Sequence, residues 1–411
     1  MSPERVAGQR GATWTGDVKV HNKVFARKSS NVSFRLSSQS TRRIRLREEL
    51  VMLLRLYRFC FGITITIIVC SQQLFAQTSN PFTKLVEASK AEVAKRGGKI
   101  TVSTNWTSEQ AGPILDAYKK DFPFVTQTIF ARVRRIEDSQ RMLLEYQGGR
   151  TPSVDVASVA QEVWPEYIKA GVFVKAPVSY RELGKFLPKD WPRLDPRVID
   201  AEGYFLATSG ASRGIAYNKN MVPPDKAPKT WEDCLNPIWK GKVVYDPRPK
   251  LTALQHDPKT RQAHLNWLKR MLENQVVFVR GIAEGLEKVA AGEYPIFCGT
   301  NYHNAMPIID EGAPLVFFLP DPFAFETAVQ VFVTKWSLPA TTQLFALWTA
   351  TKAQPIVDEK GYRGLPWIPG TRIYNMAKGK YAAICDPECL RKSSDVYNAE
   401  HNRILGIPGA K

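Results

Sequence analysis

The chain has 411 residues, of which 44% are hydrophobic and 23% charged, with a net charge of +18. That length exceeds one ordinary core and sets two domains as the expectation, and the composition excludes a disordered or fibrous chain. The basicity is no argument for nucleic acid, because residues 1–76 hold 13 Lys+Arg against 4 Asp+Glu and so carry half of the excess. The remainder is a mildly basic surface of the kind that attracts anions.

Residues 1–51 are polar and Arg-rich, without apolar periodicity, and read as an upstream extension from a misplaced start or else as a cytoplasmic tail. Met52 then precedes Arg55, Arg58 and the short apolar run FCFGITITIIVC, which is followed by SQQLFAQ. A basic flank, a short apolar run and Ala76 before the cut make residues 52–76 a secretory signal peptide, too short for an ordinary membrane span. A lipoprotein cut before Cys70 is a weaker reading, since Val69 is not the small residue such a site prefers. The expectation is therefore an exported protein, periplasmic or extracellular.

Export sets the cysteine chemistry. Cys234, Cys298, Cys385 and Cys389 remain after the signal. The loop CDPEC suggests a local Cys385–Cys389 disulfide rather than a zinc half-site, because no second pair stands at metal spacing. Cys234 and Cys298 are read as unpaired and buried.

In chain order, Phe82, Leu85, Val86 and Val93 mark a helix face that ends at Gly97-Gly98, and KITVS over 99–103 is a β-branched strand. Thr107 and Gln110 are spaced as a capping box for a helix whose buried stripe is Ile114, Leu115, Tyr118 and Phe122. A strand over 125–130, a helix over 136–146 and a short strand over 154–156 follow. This strand–helix–strand rhythm predicts an α/β unit with a mainly parallel sheet. Ligands bind outside the carboxyl ends of such strands, which makes Asn105, Trp106, Thr107 and Ser158 candidate contacts.

The stretch FLATSGASRGIAYNKNMV, residues 205–222, reads as a strand leaving one unit for another. Its small residues, Ser209 among them, would let a ligand approach the main chain. Beyond it the pattern repeats: a short helix within 231–239 broken by Pro237, strands over 242–245 and 276–279, and helices over 263–272 and 282–291. A strand over 294–297 delivers CGTNYH to its carboxyl end; strands over 315–319 and 328–334 and a closing helix through 344–348 complete the series. The division is 77–212 for a first lobe, 213–327 for a second, and 328–411 completing the first. Two connections between lobes make a hinge.

The combination of KITVSTN, TPSVDVASV, SRGIAYNKNMV, TWEDCLNPIWKGKVVYDPRP and VAAGEYPIFCGTNYHNA resembles the extracellular solute-binding proteins of ABC transporters, in the subgroup that includes ferric-ion binders. The resemblance implies an α/β fold of two lobes, each with a mixed sheet flanked by helices. It also implies capture of a small solute or ion, a monomer, and delivery to the membrane subunits of an ABC permease, with no cofactor of its own. Ferric binders of this family place two adjacent tyrosines after a second-lobe strand, where this chain has Tyr302-His303. Tyr302 and His303 are therefore ligand candidates, and metal ligands only if the solute is a metal. Replacing a phenolate by imidazole weakens the case for hard Fe(III). The competing solute is organic or anionic, with Arg213 and Arg248 pairing bidentately with carboxylate or phosphate and Trp106 and Tyr302 covering the organic body.

No HExxH, GxSxG, P-loop or GxGxxG pattern is present, and no nucleophile and base assemble by spacing, so catalytic residues are not assigned. A periplasmic hydrolase is the enzyme alternative, and a sensor module is the alternative among binding proteins.

Overall fold

The computed structural model describes residues 80–133, 136–392 and 396–407. The 1–51 segment and the signal peptide expected over 52–76 lie outside the described residues. Ten strands form one mixed sheet: β1 (Lys99–Ser103), β2 (Gln127–Phe130), β3 (Val156–Ser158), β4 (Phe205–Asn218), β5 (Val243–Tyr245), β6 (Val277–Phe278), β7 (Ile296–Asn301), β8 (Leu315–Phe318), β9 (Phe323–Phe332) and β10 (Ala382–Cys385). Their order is β2-β1-β3-β9-β4-β7-β5-β6, with β8 on β4 and β10 on β9.

Continuity across the sheet comes from β4. At 14 residues it is about 46 Å long, enough to serve two sets of neighbours. Its first part pairs antiparallel with β9, from Phe205 opposite Phe332 to Arg213 opposite Ala324; its last part pairs with β7 and β8. On one side of this pair lie β1, β2 and β3, joined in parallel; on the other lie β5, β6 and β7, likewise parallel. The expected pair of sheets is thus a single sheet in which β4 and β9 run through the middle.

The small-residue run in β4 has a packing cause. A Cβ on Gly210 would stand 1.9 Å from the Phe325 ring, and one on Gly214 would stand 2.2 Å from the Phe318 carbonyl. Aromatic and backbone neighbours, not a ligand, fill the space those side chains leave. Period-2 alternation then sorts the apolar residues onto two faces: Leu206, Ala216, Val244, Phe297 and Phe325 join one buried cluster, and Phe205, Ile215, Val243, Ile296 and Phe332 the other.

The helices follow from local signals. Thr107 Oγ1 accepts from Gln110 N at 3.3 Å while Gln110 Oε1 accepts from Thr107 N at 3.0 Å, completing the capping box of helix Ser108–Asp121. Helix Pro339–Ala350 is buried on every side, as its apolar circumference requires. The Glu92 carboxylate accepts from its Ala340 and Thr341 amides at 3.1 and 2.9 Å, placing negative charge at the positive end of the helix dipole.

Several elements differ from their sequence reading. The strand expected at 154–156 occupies Val156–Ser158: the Asp155 amide still donates to Thr101 O at 2.9 Å, but its side chain takes the Thr101 amide and its carbonyl accepts from Leu338, so the regular ladder begins at Val156. The return strand starts at Phe323, five residues early, where β10 pairs with it. The 231–239 helix is two 3-10 turns, Glu232–Leu235 and Pro237–Trp239, since Pro237 opens the second. Cys385 and Cys389 are bonded as expected, with Cα atoms 5.0 Å apart. Cys234 and Cys298, expected free, are also bonded: β7 brings Cys298 beneath the first 3-10 turn, with Cα atoms 6.5 Å apart. Among the described residues no helix is long and apolar enough to cross a membrane.

Candidate functional site

A cavity of about 640 Å³ opens beside the β4–β9 pair, and its wall includes Arg213 from β4, Glu326 from β9 and the first turn of helix Tyr302–Asp310. A neighbouring cavity of about 680 Å³ shares Asn105, His303, Asn304 and Arg363 with it, so these four residues stand where the two hollows meet.

Of the residues singled out in the sequence, Asn105, Ser158, Arg213, Arg248 and His303 line the first cavity, and Thr107 lines the second. Three do not. Trp106 is fully buried in the core, tilted against Phe345 at 6.5 Å between ring centroids, and offers no face for stacking on a solute. Ser209 is fully buried in β4 and lies outside the cavity wall. Tyr302 is 1% exposed and packs against the rings of Phe317 and Tyr362 rather than facing the cavity. Burial, with the Asp358 carboxylate nearby, pushes its phenol well above the ordinary range, against the phenolate that a ferric ion would need. Each of these exposures depends on which way a loop or strand faces, which a one-dimensional pattern does not specify.

Charge dominates the wall. Four cations, Arg213, Arg248, Lys250 and Arg363, face two carboxylates, Glu162 and Glu326. Arg213 Nη2 donates to Glu326 Oε2 at 2.7 Å, and Glu326 Oε1 accepts from Thr252 Oγ1 at 3.4 Å. Arg248 donates from Nη2 and Nε to Asp246, a carboxylate beneath it, at 2.6 and 2.9 Å. Among the described residues neither Lys250 nor Arg363 has a carboxylate within ion-pairing distance. Burial, reinforced by the Arg213 charge, lowers Arg363 to about 10. Burial and then Arg213 also lower Lys250, against partial support from Glu326. His303 is held well below its ordinary value by burial and by Arg363, Arg213 and Lys250, so it is neutral near pH 7.

Polar groups without partners gather at the same place. Asn301 caps helix Tyr302–Asp310 by position but makes no side-chain cap bond; its Oδ1 is buried and unpartnered, as are His303 Nδ1 and Arg213 Nε. The first amides of that nine-residue helix point the way an oxyanion is held at helix N-termini. Val329, also in the wall, has φ +50°, a left-handed backbone that a β-branched residue rarely adopts; its carbonyl accepts from Thr208 Oγ1 at 2.8 Å.

Lys250, Asn301, Glu326 and Arg363 were not singled out in the sequence. Two of them had a visible signal: Lys250 lies two residues past Arg248 in PRPK, and Glu326 is a lone carboxylate in an apolar strand. Arg363, between Gly361 and Gly364, had none. Among the described residues no three His, Cys, Asp or Glu side chains gather where they would hold a metal ion.

An open α/β sheet with a charged hollow beside its two longest strands defines a solute-binding module. The fold matches solved structures of that class at low identity. Ferric iron-binding protein A of Mannheimia haemolytica in an open conformation shares 14% identity at a TM-score of 0.57, covering 76% of this chain and 99% of that one. The Trichodesmium IdiA (FutA) protein in complex with iron and citrate shares 17% at 0.56, over 76% and 100%. The substrate-binding protein of an ABC transporter from Agrobacterium tumefaciens shares 14% at 0.56, over 75% and 95%. The model for the bacterial extracellular solute-binding protein family matches residues 152–368, more than half of the chain, and the protein belongs to that family. It is a binding protein and not an enzyme.

Proposed function

We propose that this protein is the extracytoplasmic component of an ABC import system and that it captures a small organic anion by closure of two lobes about a hinge. The observation that carries this reading is the excess of cations over carboxylates in the cavity wall. A cavity of about 640 Å³ also falls within the ~300–1,000 Å³ range of small-molecule sites and is some twenty times the ~30 Å³ share of one water, which suits an organic body better than a bare ion. Several of the similar structures are ferric-ion binders, but here the buried Tyr302 and the neutral His303 are poor partners for that ion.

The lobes in this reading are 77–212 with 328–411, and 213–327. Supporting it, β4 and β9 are the two segments that belong to both sides of the sheet, and both carry irregularities: a register shift at Gly214/Ile215 and the positive φ of Val329. Closure gains population by the difference in the solute's affinity for the two forms. Residues 52–76 would direct export, and the closed form would deliver its solute to the permease.

Native mass spectrometry of the protein purified from its own host without chelator tests the reading. The expected result is an organic adduct that leaves at high salt. An adduct with the mass of iron, lost on acidification, would overturn the anion assignment.

A further inference from the structure

The charges in the cavity allow the class of anion to be narrowed, and this step rests on the anion reading above. Two of the four cations are already neutralised in place: Arg213 by Glu326 at 2.7 Å and Arg248 by Asp246 at 2.6 Å. The other two, Lys250 and Arg363, are half-buried and have no carboxylate within ion-pairing distance among the described residues. Glu162, the remaining carboxylate of the wall, is exposed. We propose that the solute is a small organic dianion, and that Arg363 is the residue that makes the site prefer dianions to monoanions.

The placement of these two cations supports that assignment. Lys250 follows β5 and stands in the first cavity only, whereas Arg363 stands at the junction of both cavities beside His303 and Asn304. Their charges therefore reach a bound molecule from different segments of the chain. A single negative charge would neutralise one of them and leave the other half-buried and uncompensated, which carries part of the cost of an unpaired buried charge. Two negative charges neutralise both. The Arg363 backbone is also fixed to the sheet, since its carbonyl accepts the Gly210 amide of β4 at 3.0 Å, which anchors the base of the side chain beside the cavity. A guanidinium so placed matches carboxylate and phosphoryl oxygens equally well. The shared chemistry is two negative charges on a small body, from either two carboxylates or one phosphate monoester.

The test is calorimetric titration of the wild-type protein, Arg363→Gln, Arg363→Lys and Lys250→Gln with butyrate, succinate and glycerol 3-phosphate at low salt and pH 7.5. In the wild type one of the two dianions should bind at least tenfold more tightly than butyrate, and which one does so separates the dicarboxylate from the phosphate source. Arg363→Gln should bring that ratio close to one, Lys250→Gln should reduce it, and Arg363→Lys should restore most of it. Melting temperatures of the variants without anion establish that each is folded. Equal affinity for monoanion and dianion in the wild type, or an Arg363→Gln variant that loses both in proportion, would overturn the dianion assignment while leaving an anion site. Failure of every anion to bind, with uptake of ferric ion instead, would overturn the underlying reading as well.

Discussion

Replacing Glu326 by Gln separates what this carboxylate does for the fold from what it does to the solute. The side chain is 16% exposed and neutralises Arg213, which is 7% exposed. Removing one member of a buried pair costs about 3–5 kcal/mol, and the retained amide oxygen still accepts a hydrogen bond, so the loss should be roughly 2–3 kcal/mol. For a unit of this size that corresponds to a fall of about 3–4 °C in melting temperature. Binding should move the other way. At an effective dielectric constant of ~20, a unit negative charge ~7 Å from each anionic charge repels it by about 2 kcal/mol, so its removal should tighten binding more than tenfold. The assay is paired: thermal melting without ligand, then calorimetry with the tightest-binding anion. A variant that melts lower and binds more tightly fits the reasoning. One that melts lower and binds more weakly refutes it, because Glu326 would then be contacting a positive group on the solute.

His264 is fully buried, and burial lowers it to about 3 from an ordinary 6.5. A histidine lowered on folding contributes its full stability above pH 6.5 and loses it as pH falls toward 3, because only the unfolded chain takes up the proton. Between pH 7.5 and pH 5 the cost is about 2 kcal/mol, and His264→Gln should remove that part of the acid sensitivity in denaturant titrations. An unchanged difference between the two pH values would refute it. The Cys234–Cys298 bond spans 64 residues of sequence, for which loop closure predicts about 4 kcal/mol of stabilisation. Peptide mapping without reductant should recover the linked pair, and the double serine variant should lose most of that energy. Free thiols at both positions would refute the pairing.

How far the sequence foretold the molecule depended on the range of each signal. Thr107 with Gln110, the β-branched run at 99–103 and the CDPEC loop are local patterns, and each produced the expected element. The joining of the sheet through β4 and β9 was not legible, because Arg213 and Glu326 meet across 113 residues of chain. The same distance problem hid the Cys234–Cys298 pair. In the site, Asn105 could be placed near a strand end by the general rule for open sheets, Arg248 after a strand and Arg213 in the crossing stretch, but exposure could not. Trp106 between exposed Asn105 and half-buried Thr107 looks like a loop aromatic, yet it turns inward onto Phe345. Arg363 lies in a segment placed by the packing of the C-terminal helices and by its carbonyl's bond to the Gly210 amide, a contact across more than 150 residues of chain.

The left-handed backbone of Val329 bears on a different property, the solute concentration at which the protein fills. A residue held in such a conformation stores about 1–3 kcal/mol. If the proposed closed form is one in which this φ relaxes, it gains that amount relative to the form described, and the torsion would shift the ratio of the two forms in the absence of solute. A shift of 1.4 kcal/mol changes the apparent dissociation constant tenfold while leaving the ranking of solutes untouched. In the proposed closure, selectivity and threshold would then be set by different parts of the same wall: the guanidinium and ammonium groups would choose the solute, and one backbone angle would set how scarce it can be before capture fails.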